Sequence, residues 1–200
     1  MLSLAAAIIA YLIGSFPTAY VIGKHLRGID ISKNGSGNIG AMNAYDVTDS
    51  KMIGIMVGAI DILKGLVVTV FFSATSFTWH NSGLPAIKIG GLTAALFVVL
   101  GHNYSIYIKF KGGRGLATAA GAFLVIQPLA VAVFLVVYFT LRFARLKLYL
   151  SSVIGILCAV IPVLFKFASI PYAEALLGLL LLVVLSKYIV PLKNELRNAQ

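Results

Sequence analysis

A chain of 200 residues that is 60% hydrophobic and 11% charged, with a mean hydropathy of +0.99, is not an ordinary soluble domain, whose apolar share lies nearer one half. The net charge of +10 does not point to nucleic acid, because Lys and Arg are divided among short connections instead of gathered on one soluble face. A lone cysteine, Cys158, excludes an intramolecular disulfide, and His25, His80 and His102 lack metal-ligand spacing. The composition therefore predicts an all-α, polytopic integral membrane protein with no metal and no cofactor.

A bilayer span takes about 20 apolar residues, with about 17 as a lower limit. Taken in chain order, that rule predicts spans near 3–23, 52–74, 86–106, 129–146, 150–167 and 171–190. The first lacks a basic start and a small-residue cleavage pattern, so it reads as a retained span, not as a signal peptide. A further segment, 115–127, follows a glycine turn and stops before Pro128; it is short, and so tilted or partly inserted. Counting it gives about seven transmembrane helices. Thirteen of the 16 Lys and Arg residues then fall in 24–51, 107–114, 142–149 and the tail from Lys187. Positive residues stay on the cytoplasmic side, which places the N-terminus outside and the C-terminus in the cytoplasm. No repeat or linker divides the chain, and residues 1–200 read as one membrane-embedded domain.

The longest polar stretch, 23–51, is centred on NGSGNIGAMN. Gly35, Gly37 and Gly40 permit tight turns at positive φ, while Ser36, Asn38 and Asn43 offer uncharged hydrogen-bonding groups. FKGGRGLAT, 110–118, repeats the theme: Gly112, Gly113 and Gly115 free the backbone to curl its N–H groups toward an anion, with Lys111 and Arg114 beside them. Either loop alone could simply turn the chain; two on one side, with cations, point to a phosphate. Asp61 and Lys64 share a helix face at i and i+3, where they can pair in hydrocarbon, as packing or as part of an electropositive site. His102, in GHNYS, is either a general base or a hydrogen-bonding anchor for a loop. Ser151 and Ser152 open a helix that they can cap, or that can receive a phosphate oxygen. Asn194 and Arg197 lie in the tail on the same side. HLRGID spaces His25 and Asp30 as a base and its orienting carboxylate, but one such spacing among three histidines and four aspartates is expected by chance.

In order, GSFPTAYVIGK (14–24), GSGNIGAMN (35–43), DILKG (61–65), GH (101–102), KGGRGLAT (111–118), Ser151 and N-x-x-R (194–197) resemble the bacterial acyl-phosphate:glycerol-3-phosphate acyltransferase family, PlsY, over nearly the whole chain. The resemblance implies a seven-helix inner-membrane enzyme of phospholipid biosynthesis with its motifs at the cytoplasmic face. It implies transfer of a fatty acyl group from acyl phosphate to the 1-position hydroxyl of glycerol 3-phosphate, giving lysophosphatidic acid and phosphate. The implied partners are those two substrates and the lipid bilayer, without nucleic acid. Ser36, Gly37, Asn38, Gly40 and Asn43 match the first motif; Lys111, Gly112, Gly113, Arg114, Gly115 and Thr118 the second; Ser151, Asn194 and Arg197 the third. Asp46, Arg114 and Pro191 stand where the family commonly has Arg, Lys and His, and its usual Gly-x-Glu ending is absent. Asp46 therefore either lies outside the pocket or marks a related acceptor.

The chain has no paired carboxylates, no Ser-His-Asp set and no obvious cysteine nucleophile, which favours direct transfer over a covalent acyl-enzyme. On that reading Lys111, Arg114 and His102 form the catalytic set, with Gly35 and Lys64 joining the motif residues around the substrates. The hydroxyl proton goes to His102 or to the phosphate of the substrate. A transporter of organic anions would predict matching halves, which the chain lacks. An assembly subunit would leave the glycine loops without a role.

Overall fold

A computed structural model describes residues 2–75, 89–167 and 171–197. His80 and Lys88 lie outside the described residues, as does the start of the span expected at 86. The described residues form ten α-helices and no strand: α1 (Leu2–Ser15), α2 (Thr18–Arg27), α3 (Ala41–Thr48), α4 (Lys51–Thr75), α5 (Ile89–Asn103), α6 (Leu116–Ile126), α7 (Pro128–Phe143), α8 (Leu148–Phe167), α9 (Pro171–Ser186) and α10 (Ile189–Arg197).

Local chemistry sets the breaks. Pro17 has no N–H to donate and opens the helix between α1 and α2 at Phe16. Gly28, at φ 68°, ends α2: its N–H bonds to the Lys24 carbonyl and that of Ile29 to the Gly23 carbonyl, which satisfies the last carbonyls of the helix. Gly115, at φ 77°, precedes α6, and Pro128 starts α7 at a position where a missing N–H costs nothing.

Small residues let the helices meet backbone to backbone, as they do where apolar packing alone gives no preference for helix over lipid. A Cβ on Gly14 would lie 2.0 Å from the Val98 carbonyl oxygen, and one on Gly101 would lie 2.2 Å from that of Tyr11, so α1 and α5 lie in close contact. The Ser105 hydroxyl donates to the Ser15 carbonyl, bringing their C-terminal ends together. Gly65 and Gly121 do the same between α4 and α6, each 2.0 Å from a facing carbonyl oxygen. α4 runs antiparallel to α5, with Gly91 against Ser73 at one end and Asp61 against His102 toward the other. At the far end Ile126, Leu92, Ala130, Val163 and Ala173 pack together. At the near end Asn103 donates to the Val183 carbonyl and Tyr104 bonds Ser186. The polar connections 28–50, 104–115, 144–147 and 187–197 consequently gather at one end of the bundle.

Among the described residues, four helices are long and apolar enough to cross a membrane: Leu4–Arg27, Lys51–Ala74, Gly90–Ile108 and Leu148–Lys166. Ala173–Ser186 and Ile189–Arg197, bent by 43°, make a fifth if taken as one. Where the sequence predicts about seven spans, Leu116–Ile126 and Pro128–Phe143 are shorter apolar helices. α7 ends at Phe143, three residues before the expected 146, and its turn carries Arg145 at φ 62°. The first span runs on to Arg27 instead of ending at 23, and the connection after it contains α3.

Candidate active site

The near end is built on a buried charge cluster. The carboxylate of Asp61, 2% exposed, accepts from the Thr18 hydroxyl at 2.9 Å, lies 2.8 Å from the Lys64 ammonium and 3.6 Å from His102 Nδ1. Lys64 also donates to the Phe16 carbonyl at 3.2 Å, one of the groups freed by the break at Pro17. Each charge in hydrocarbon thus has a partner and a hydrogen bond, the condition under which it can stay there. The cluster joins α2, α4 and α5 and holds His102 under the second glycine loop.

That loop is seated on His102. Gly113 N–H donates to the His102 carbonyl at 3.0 Å, and Ser105 N–H donates to the Lys111 carbonyl at 3.2 Å. A Cβ on Gly113 would stand 2.0 Å from His102 Nε2 and 2.7 Å from the Ile39 carbonyl oxygen. Ile39 belongs to the first glycine loop, so the two loops meet. A Cβ on Gly112 would stand 2.2 Å from the His102 carbonyl oxygen and 2.6 Å from that of Asn103. Ser15, Thr18, Ile39, His102, Ser105 and Gly112 line a small cavity between them, and the Ser15 hydroxyl has no hydrogen-bond partner.

The first loop is wound around Asn43. Its side-chain oxygen accepts from Ser36 N–H at 2.8 Å, and its amide nitrogen lies 3.0–3.1 Å from the carbonyls of Ile31, Asn34 and Asn38. Asn43 is therefore committed to the loop, whereas Ser36 and Asn38 face outward or partly so. Gly35 and Gly37 adopt φ of 59° and 69° as expected. Gly40 does not: at φ −157° it is extended and caps α3 without needing glycine's freedom. Asp30 accepts from Ser32 N–H and hydroxyl and pairs with Lys33 at 3.7 Å, not with His25. The Ser32 hydroxyl is the main cause that holds its carboxyl below the usual range.

The two cations of the second loop differ. The Lys111 side chain is exposed, with no ion-pair partner among the described residues. The Arg114 guanidinium lies over the Tyr149 ring, 4.5 Å from its centroid, and donates to the Tyr149 hydroxyl at 2.9 Å. Two residues on, Leu116 begins the lining of an apolar groove of about 200 Å³ between α6, α7, α8 and α9, which runs from Leu116 and Val184 to Glu174. Val184 to Glu174 is ten residues of α9, about 15 Å at 1.5 Å each, which is half the roughly 30 Å hydrocarbon core.

The remaining candidates fall elsewhere. Thr118 is buried, with its carbonyl against Gly65, so it serves the contact between α4 and α6. Ser151 is buried and donates back to the Lys147 carbonyl at 2.8 Å, neither capping α8 nor offering its hydroxyl outward. Asn194 and Arg197 are exposed on α10. Asp46 is exposed on α3 and outside the lining of the small cavity. Sequence reasoning missed Thr18, Asn103, Tyr149 and Glu195. Asn103, next to His102 in GHNYS, was the most legible of these: buried and bonded to Val183, it also meets any Cβ on Gly115 at 2.5 Å.

Fold and site together define a helical membrane protein whose two glycine loops and loop cations lie at one end, with an apolar groove between α6, α7, α8 and α9. The family described as glycerol-3-phosphate acyltransferase matches residues 4–196, and the chain belongs to that family. It is 38% identical over 185 residues to a glycerol-3-phosphate acyltransferase of Staphylococcus haemolyticus, covering 92% of this chain and 90% of the relative. It is 46% identical over 127 residues to a glycerol-3-phosphate acyltransferase 2 of Moorella thermoacetica, covering 64% and 60%. Two crystal structures of PlsY, an integral membrane glycerol 3-phosphate acyltransferase, are similar at 26% identity over 98% of this chain and 92% of theirs. The glycerol 3-phosphate form gives a TM-score of 0.83 and the lysophosphatidic acid form 0.81.

Proposed function

We propose that the chain transfers a fatty acyl group from acyl phosphate to the 1-position hydroxyl of glycerol 3-phosphate at the inner face of the plasma membrane. The observation that carries this reading is the contact of the two glycine loops, with exposed Lys111 and with Arg114 held on Tyr149 two residues before Leu116, which lines the apolar groove. The relatives named for glycerol 3-phosphate, and the PlsY forms with that substrate and with lysophosphatidic acid, support the acceptor.

On this reading the donor's chain lies in the groove and its phosphate meets Arg114, while Lys111 and the N–H groups of the loops hold the acceptor's phosphate nearby. The hydroxyl oxygen bonds to the acyl carbon, the bond from that carbon to the phosphate oxygen breaks, and phosphate leaves with the electron pair. The hydroxyl proton goes to the departing phosphate. His102 is covered by Gly113 and engaged by Asp61, so it holds the loop. The catalytic gain is then proximity and charge stabilisation. All seven apolar segments alternate in direction across the bilayer, with the basic end in the cytoplasm and the N-terminus outside. A reporter fused after Lys147 reads cytoplasmic if this is right.

The purified protein in lipid vesicles, given labelled acyl phosphate and glycerol 3-phosphate, is expected to form labelled lysophosphatidate and phosphate in equal amounts. Product from another acyl donor but none from acyl phosphate would overturn the donor. The groove makes a separate prediction. Gly178 lines it, about 9 Å along α9 from Val184 at 1.5 Å per residue, and a Cβ there meets nothing within 4 Å. Gly178→Phe fills the groove without a backbone clash. Each CH2 denied burial costs about 0.8 kcal/mol. Losing two raises KM for a long-chain donor about tenfold and leaves a short-chain donor unchanged. Equal KM for both lengths would place the chain elsewhere.

A further inference from the structure

α10 has no buried residue, yet it is latched to α8. The Glu195 carboxylate accepts from Tyr149 N–H with one oxygen and from Leu150 N–H with the other, both at 3.0 Å, and Lys147 donates to the Glu195 carbonyl at 2.7 Å. N–H groups in the first turn of a helix have no partner within it and carry the positive end of its dipole. Glu195 therefore supplies α8 with the capping acceptor that Ser151 does not. The residue it pins is Tyr149, whose ring and hydroxyl hold Arg114, and whose ring also meets Tyr188 edge-on at 6.4 Å. Of the two loop cations, one is free and the other is aimed by a tyrosine whose own backbone is fixed from the C-terminal helix.

We propose that Glu195 is a positioning residue for the acyl donor, acting through Tyr149 to aim Arg114 at the phosphate of the donor. This rests on the donor assignment above. It follows from where Arg114 stands: Leu116, two residues on, and Val184, next to the Val183 carbonyl that Asn103 anchors on α9, both line the groove. Lys111 has no such support, so loss of Glu195 touches one substrate and spares the other. Here the stacked guanidinium matters, because the point charge of a lysine would not be held in plane by Tyr149.

The test is steady-state kinetics of the full chain in vesicles, varying acyl phosphate and glycerol 3-phosphate independently. Glu195→Ala is expected to raise KM for acyl phosphate about tenfold, the size of a lost charge-assisted hydrogen bond. KM for glycerol 3-phosphate stays within about twofold, a split that a merely structural anchor would not produce. Glu195→Gln, which keeps one acceptor oxygen, recovers part of the loss. Tyr149→Phe removes only the hydroxyl and raises the same KM. The double variant is no worse than Glu195→Ala, because both act on one contact. If Glu195→Ala does not accumulate as folded protein, Glu195→Gln and Tyr149→Phe decide. Equal changes in both KM values, additive effects, or no change would overturn the proposal. Failure of the unmodified protein to use acyl phosphate would instead overturn the donor assignment itself.

Discussion

Replacing Asp61 with alanine is expected to lower the melting temperature in detergent more than any other single change at the site, and to abolish turnover. Asp61 is the one carboxylate in the buried cluster, and Thr18, Lys64 and His102 all direct polar atoms at it. Without it the Lys64 ammonium, 8% exposed, keeps only the Phe16 carbonyl among the described residues. Breaking a buried pair by removing one partner costs about 3–5 kcal/mol, chiefly because the other charge is left uncompensated. The sign can be checked by a second change. Asp61→Asn with Lys64→Met removes both charges and is expected to recover much of the stability that Asp61→Asn alone loses. Thermal unfolding of the three variants settles it: an unchanged melting temperature for Asp61→Ala, or a double variant no better than Asp61→Asn, would show that the cluster does not hold α2, α4 and α5 together.

The outline of this arrangement was legible in sequence because hydrophobic length and positive charge are local signals. The long apolar runs gave α4, α8 and the C-terminal end of α5 to within a few residues, and the distribution of Lys and Arg put the basic connections and the tail at one end. What the sequence could not give was partnership. Asp61 and Lys64 are three residues apart and their pairing follows from helix geometry, but Thr18 reaches Asp61 across 43 positions and Tyr149 reaches Glu195 across 46. No periodicity encodes such contacts. For the same reason Asn43 read as a substrate ligand when the folded loop spends its amide on Ser36, Ile31, Asn34 and Asn38. α3 was hidden because its eight residues include Asn43, Asp46 and Thr48, a mix that reads as loop.

The glycines show most directly which parts of the motif are conformational and which are spatial, and Gly113→Ala is the variant that separates them. Gly28 has φ 68° and open space around it, so Gly28→Ala strains the backbone by about 1–2 kcal/mol and should leave turnover intact. Gly113 is the reverse case. Its φ is not in the left-handed region, so its backbone accepts alanine, but the added methyl would stand 2.0 Å from His102 Nε2 and 2.7 Å from the Ile39 carbonyl oxygen. The imidazole cannot swing aside without leaving Asp61, and the Ile39 oxygen is backbone. The methyl must therefore part the two loops by the order of an ångström. Displacement on that scale between reacting groups costs about 10²-fold in rate. Gly113→Ala should lose at least that in kcat/KM while folding normally, and Gly28→Ala should show the opposite pattern. Full turnover of Gly113→Ala in the same vesicle assay would mean that the loops act without touching, and the phosphate site would have to be sought on one of them alone.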